Sequence, residues 1–328
     1  LPVILRNMCC GLISHFVCSR LHWPGLWHWL FKVSQKADFA SLWWDRLVGL
    51  GPALDRRLKE QRPQAMVMTY PVYPYFLAQC GPSVPRPEWV SMVITDSITI
   101  HPIWLHGQVD RLYVTDAFSQ AVAQAGLVRP VPVEVSGFPV APEYAGFPAR
   151  TAEGAPVCLK VLYFATAARS HVRPTLRGLL ENLPAGARMT IVTGRHEARL
   201  KPVIKELLEA FPGIPVELIG WTREVPRLLM EHDVVISKAG GATVHECFAA
   251  GVPVMVNFII PGQEEGNADL LERLGCGCRS LVPGETGPLL AAMQADGRLA
   301  SMRRAMAGHR RPDGALLIAR KILQAISL

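Results

Sequence analysis

A chain of 328 residues, half of them hydrophobic and 19% charged, holds enough apolar side chain for two ordinary cores and is not a disordered polymer. Its formal charge of +7 and pI near 9.1 favour anionic partners such as nucleotides, anionic lipid surfaces or nucleic acid, without choosing among them. Eight scattered cysteines, with no CxxC pair and no His/Cys cluster at zinc spacing, exclude a zinc module and point to reduced, mostly buried thiols inside a cell.

No stretch reaches the roughly 18 consecutive apolar residues of a membrane span. Residues 11–18 are apolar, but the run is short and carries His15. The chain starts at Leu1 without a methionine, so a preceding piece is expected. Between His22 and Leu50 come Trp23, Trp27, Trp29, Trp43 and Trp44, interleaved with His22, His28, Lys32, Lys36 and Arg46. That is the composition of a membrane-interface belt, and equally of amphipathic helices that bury tryptophan in a core.

After Gly51-Pro52 a charged helix is predicted over 55–61. Strands are predicted at 65–69, 89–95 and 111–115, then a helix over 119–127 and a strand at 133–136. From Pro139 to Pro156 the sequence is rich in Pro, Gly and Ala and lacks a period. The expected division is therefore an amino-terminal domain over 1–140, a linker over 141–156 and a carboxyl-terminal domain over 157–328, whose last helix packs back on the first.

A second alternation follows. Strands are predicted at 160–164, 189–193, 216–219, 234–237, 254–258 and 279–282, with helices including 203–210, 225–231 and 270–274. This spacing predicts a parallel, doubly wound sheet. Within it the stretch 233–267 concentrates the chemistry. A buried strand runs into Lys238-Ala239-Gly240-Gly241, a helix covers 243–250 and stops at Gly251 and Pro253, and a second strand leads into Pro261-Gly262-Gln263-Glu264-Glu265-Gly266-Asn267. Both loops follow the carboxyl ends of strands, where open α/β sheets bind ligands. Thr243 and Glu246 have the spacing of a capping box, and equally that of a diphosphate contact and a ribose-binding carboxylate after two glycines. Gln263, Glu264, Glu265 and Asn267 offer the donors and acceptors that sugar hydroxyls need.

These segments carry a resemblance. Ser237-Lys238-Ala239-Gly240-Gly241-x-Thr243-x-x-Glu246, then Gly251-x-Pro253 and Pro261-Gly262-Gln263-Glu264-x-x-Asn267, resemble the donor site of the monogalactosyldiacylglycerol synthase and processive diacylglycerol glucosyltransferase family. Thr95-Asp96 with His101-Pro102-x-Trp104, Gly137-x-Pro139-Val140, Thr193-Gly194-Arg195 and Gly220-Trp221 follow in the same order, so the likeness spans residues 62–277.

The resemblance implies an α/β GT-B fold: two Rossmann-like domains with parallel sheets facing a central cleft. It implies a UDP-sugar held by the carboxyl-terminal domain and a lipid acceptor met by the other. Glu246 would bind the ribose, and Gly241 to Thr243 the diphosphate. Gln263 and Glu264 would bind the hexose, and the backbone from Trp221 to Val225 the uracil, with Gly194, Lys238, Gly240 and Asn267 also among the donor-binding residues. No metal or other cofactor is expected, and no Asp-x-Asp motif occurs. A helix amino terminus would stabilise the departing UDP.

Two segments depart from the family. Its glycine-rich turn with a histidine near the amino terminus has no counterpart from Leu1 onward, so either the first strand and helix are absent or another group does that work. Asp96 is the candidate substitute base, with His101 as its orienting partner, and equally a cap of the turn before Ser97. The glycine-rich turn after the first strand of the donor domain is replaced by Ala165-Thr166-Ala167-Ala168, where Arg169, His171 or Arg173 are candidates to supply positive charge. The expected activity is inverting transfer of galactose or glucose from a UDP-sugar to diacylglycerol or a related lipid, on the cytoplasmic surface of an anionic membrane. A polyprenyl-linked acceptor and a non-catalytic UDP-sugar-binding protein remain open. Nucleic-acid binding is not expected, because the basic residues are dispersed.

Overall fold

The computed structural model describes residues 29, 32, 34, 35, 51–148, 158–262 and 264–327. Of the tryptophan-rich region only Trp29, Lys32 and two neighbours fall within it. Gln263, the second half of the expected linker (149–156) and residue 157 lie outside the described residues.

The described residues gather into two compact units. One takes the chain up to Pro139 together with Pro261–Gly266 and Gly314–Leu328; the other takes Val140–Ile260 and Asn267–Asp313. In the first unit the order is α1 (Gly51–Gln61), β1 (Ala65–Met68), α2 (Tyr73–Gln79), β2 (Trp89–Val93), β3 (Arg111–Val114), α3 (Ala117–Gly126) and β4 (Val133–Val135). The strands form one parallel sheet in the order β1-β2-β3-β4. Its core is built from Met68, Phe76, Met92, Ile94, Leu112 and Val114, all essentially inaccessible. Helix α3 starts where Asp116 accepts a hydrogen bond from Ser119 N at 2.9 Å, two residues earlier than its apolar pattern predicts. The other sheet face receives the chain's last described helix, α12 (Gly314–Ile326), through Ile318 and Ile322 packed with Val93 and Tyr113.

In the second unit, α4 (Glu143–Gly146) leads to β5 (Lys160–Phe164), α5 (Arg169–Asn182), β6 (Arg188–Val192), α6 (Glu197–Ala210), β7 (Val216–Ile219), α7 (Val225–Glu231) and β8 (Val234–Lys238). Then come α8 (Gly241–Ala250), β9 (Val254–Phe258), α9 (Glu265–Arg273, whose first two residues, Glu265 and Gly266, fall in the first unit), β10 (Gly277–Arg279), α10 (Thr286–Ala295) and α11 (Arg298–Gly308). The six strands form a parallel sheet in the order β10-β9-β8-β5-β6-β7. Val161, Tyr163, Ile191, Val234 and Ile236 fill its centre, which explains the near-continuous apolar runs of these strands.

Several expectations change, among them the start of α9, five residues before the expected 270. The first half of the expected linker is not free chain: α4 occupies it, with Tyr144 completely buried in the second unit. Helix α6 begins six residues before 203 and runs through Pro202, because its apolar face over Leu200, Val203, Ile204 and Leu207 outweighs the one hydrogen bond a proline removes. Strand β10 lies two residues earlier than predicted. Gly277 sits against the Val254 carbonyl, where a side chain would not fit, while Leu281 and Val282 are left half exposed.

Candidate functional site

Strand order fixes where the second unit can bind a ligand. From β5 the chain moves outward through β6 and β7, then returns to place β8 on the other side of β5, and continues to β9 and β10. The adjacent β5 and β8 therefore send their following helices to opposite faces, which opens a crevice at their carboxyl ends. Two turns flank it: Ala165–Ala168 after β5, and Ala239-Gly240 after β8.

Gly240 is the N-cap of α8, at φ −66° and ψ 133°, and no side chain caps the helix. Any residue could adopt that conformation, so what glycine provides is access to the unpaired amides of the first turn, an anion site by geometry and dipole. The helix starts two residues before Thr243, which excludes the capping-box alternative: Thr243 is the third helical residue, not the cap. The far end closes on Gly251 at φ 73°, with Gly251 N and Val252 N donating to Phe248 O and Cys247 O.

Glu246 projects from the second turn of α8. It is half-buried, and no described residue gives it a hydrogen bond or a cation. Burial alone lifts its pKa to about 7. A carboxylate desolvated without a partner is costly to the fold and is ready to accept hydroxyl hydrogens. Nearby, the buried Asn267 donates from Nδ2 to Ala239 O at 3.0 Å and leaves its Oδ1 without a partner among the described residues. It ties α9 to the β8 turn, and one amide atom remains for other use. A β-bulge at the Ser237/Lys238 step of the β8–β9 pairing re-aims the chain at the same place.

Of the three candidates offered for the β5 turn, Arg173 is ion-paired, Arg169 keeps its charge but is tied to a carbonyl, and His171 is uncharged. Arg173 forks onto Glu206 with bonds of 2.9 and 2.5 Å, and Arg169 Nε donates to Arg199 O at 2.6 Å; both are engaged toward α6. His171 packs edge-on against Phe258 at 5.5 Å, and burial lowers its pKa, so it is neutral at physiological pH.

Along the same sheet edge, Gly194 follows β6 at φ +54°, a conformation that favours glycine. Thr193 before it is anchored to Ile219 O through both its amide and its hydroxyl. After β7, Trp221 is 57% exposed, with the Arg223 guanidinium 5.6 Å above its ring, and Val225 opens α7. Lys238, Gly240, Gly241, Thr243, Glu246 and Asn267 thus cluster at the end of β8, with Gly194, Trp221 and Val225 spaced along the edge beyond β5.

Asp96 and Glu264 fall in the first unit. Asp96 follows β2, and its Oδ2 accepts Trp104 Nε1–H at 2.7 Å. Burial raises its pKa to about 6, opposed by the Trp104 bond and reinforced by the charge of Glu264, itself almost fully buried. Trp104, not His101, orients Asp96. The His101 ring caps its own turn, accepting Ile103 N at Nδ1, and lies 3.1 Å from Ser34 Oγ at Nε2. A buried indole N–H requires an acceptor, which is the signal in the sequence that identifies Trp104 as the partner. Gly266 N donates to Thr99 Oγ1 at 3.1 Å, holding the loop that carries Glu264 against the loop that carries Asp96.

Known proteins are similar to this chain in sequence or in fold. The sequence profile of monogalactosyldiacylglycerol (MGDG) synthase matches residues 10–140. The processive diacylglycerol β-glucosyltransferase of Bacillus subtilis is 30% identical over 238 residues, covering 68% of this chain and 58% of that protein. Its counterpart in Bacillus pumilus is 29% identical with the same coverage. A probable chloroplastic monogalactosyldiacylglycerol synthase 3 of Oryza sativa is 27% identical over 71% of this chain and 48% of its own length. The chain thus spans about half to three fifths of these relatives. Among solved structures, Acinetobacter baumannii MurG superposes with a TM-score of 0.60 at 14% identity, over 84% of this chain and 78% of that one. Anabaena HepE, solved with UDP-glucose, superposes at 0.51 and 14% identity over 86% and 83%. The two Rossmann-like units are those of a GT-B fold, and the chain is similar in sequence to the monogalactosyldiacylglycerol synthases and processive diacylglycerol glucosyltransferases.

Proposed function

We propose that the chain transfers a hexose from a UDP-sugar to diacylglycerol or a related membrane lipid, with inversion at the anomeric carbon. The observation that carries this is Glu246: a half-buried carboxylate without a described partner, one turn from an uncapped helix start, at the switch point of a parallel sheet. That arrangement matches a ribose acceptor beside a diphosphate site. The relatives are named as glycosyltransferases acting on diacylglycerol, and HepE was solved with UDP-glucose.

The chemistry follows from the charges. The acceptor hydroxyl loses its proton to Asp96, which with a pKa of about 6 is largely ionised at pH 7 yet basic enough to take part. The hydroxyl oxygen attacks the anomeric carbon from the face opposite UDP. The growing charge on the leaving diphosphate is met by the amides of α8 instead of a metal ion. Glu264 and Gln263 orient the hexose, and the Trp221–Val225 backbone receives the uracil. No helix among the described residues is long and apolar enough to cross a membrane, and the proposed acceptor is met from the surface of an anionic bilayer.

The test is transfer of labelled hexose from UDP-glucose or UDP-galactose to diacylglycerol in anionic vesicles. Lipid-soluble label that Glu246→Ala abolishes supports the proposal, and a protein that binds no UDP sinks it. The alanines of the 165–168 turn favour a second reading, a UDP-sugar-binding protein without turnover. Tight UDP binding with no transfer to diacylglycerol or polyprenyl acceptors would establish that instead.

A further inference from the structure

The loop after β2 is built under strain. Ile98 sits at φ +57°, a left-handed conformation that a β-branched side chain resists. Successive tight turns hold it there, with Thr99 N donating to Ser97 O at 2.6 Å and Ile100 N to Ile98 O at 3.0 Å. Ile98 N donates to Ser119 Oγ at 3.0 Å. Ser119 is completely buried and donates in turn to Asp116 Oδ2 at 2.7 Å. Thr115 Oγ1 donates to the same oxygen at 2.6 Å and lies 3.2 Å from Ser97 Oγ. A buried hydroxyl network anchored on the Asp116 cap therefore fixes the backbone of 97–99 from below.

That backbone has a visible use. It presents Thr99 Oγ1 to Gly266 N at 3.1 Å, and Gly266 lies so close that a methyl group there would overlap the Ser97 carbonyl and Thr99. Asp96 immediately precedes this loop and Glu264 lies two residues before Gly266. Among the described residues Glu264 is the one titratable group whose charge acts on Asp96, and Trp104 supplies its one hydrogen bond.

We propose that Thr99 is a positioning residue, a latch whose hydroxyl, set by the strained Ile98 backbone and Ser119, fixes the Glu264 loop against Asp96. The latch keeps both carboxylates in register. Its catalytic meaning rests on the transferase function proposed above, in which Asp96 takes the proton and Glu264 faces the hexose; its geometry does not.

The experiment follows Asp96 by carboxyl 13C-NMR titration in wild type, Thr99→Val and Thr99→Ser, alongside hexose transfer. Loss of the latch opens the half-buried Asp96 further to water and lets Glu264 move away, and both changes lower its pKa. Thr99→Val is expected to move the Asp96 midpoint from near 6 toward the ordinary carboxylate range, and the acid limb of kcat with it. It should cut kcat about tenfold and leave KM for the UDP-sugar within about twofold. Thr99→Ser, which keeps the hydroxyl, restores both. If Thr99→Val does not fold, Ser119→Ala, which loosens Ile98 from below, carries the same expectation. An Asp96 midpoint unmoved in a folded, active Thr99→Val protein overturns the latch alone. A shifted midpoint in a series whose wild type transfers nothing supports the latch and sinks the transferase reading.

Discussion

Glu246 and Asp96 are both lifted by burial, yet they serve opposite ends of the proposed reaction. Glu246 binds its proton more tightly folded than unfolded. It therefore costs stability as pH rises from about 4.5 through about 7, and the cost is complete above that. Glu246→Gln is expected to raise the melting temperature at pH 8, with the gain vanishing near pH 4. In the same variant UDP should bind about 10- to 100-fold more weakly, as befits loss of hydrogen bonds to a charged group. Wild-type UDP affinity, measured by calorimetry, should climb between pH 6 and 7 and level off above, because only the ionised carboxylate accepts both ribose hydroxyls. Asp96→Asn is expected to leave UDP affinity unchanged and to lower kcat by about 10²- to 10⁴-fold. The wild-type pH–rate profile should fall below about pH 6.

At the scale of elements, α5 and α10 show how close packing positions the switch point. Gly178 in α5 abuts the Gly284 carbonyl, and Gly287 in α10 abuts Gly178 O, so the backbones meet with no side chain between. In an isolated helix, Gly→Ala stabilises by about 1 kcal/mol. Here the added methyl collides with main chain, so Gly178→Ala is expected to destabilise by about 1–3 kcal/mol in urea unfolding. The sequence made this layer only partly legible. Strands at 160–164, 216–219 and 254–258 and the helix at 225–231 were readable to the residue, because apolar runs bounded by turn residues have few alternatives. Helices α5 and α10 were not, since α5 carries Pro174 and polar residues over its first turns, and α10 opens with Thr-Gly-Pro. Their apolar faces become meaningful only against the sheet and against each other.

At the scale of the molecule, the last helix is a structural member of the first unit. Ile318 and Ile322 of α12 fill the β2–β3 face, and Lys321 Nζ meets Glu134 Oε1 at 2.9 Å. Ile318→Ala should cost about 2–4 kcal/mol, read as a lower melting transition, while UDP binding by the other unit is retained. A drop in UDP affinity matching the stability loss would contradict the assignment of donor binding to the second unit.

The sequence alone determined which residues could form a donor site. The order of apolar strand, glycine turn and helix, with Glu246 after Gly240-Gly241 and a polar cluster after the next strand, is local information, carried by backbone freedom and hydrophobic period. The tertiary structure decided what that order could not contain. It set β8 beside β5, so that a helix start became the wall of a crevice. It tied Arg169 and Arg173 to α6 and left Glu246 without a partner among the described residues, and it gave Asp96 to Trp104 instead of His101. Strand order and hydrogen-bond partners depend on contacts between residues tens of positions apart, and the local pattern of a chain does not encode which of its matching surfaces will meet.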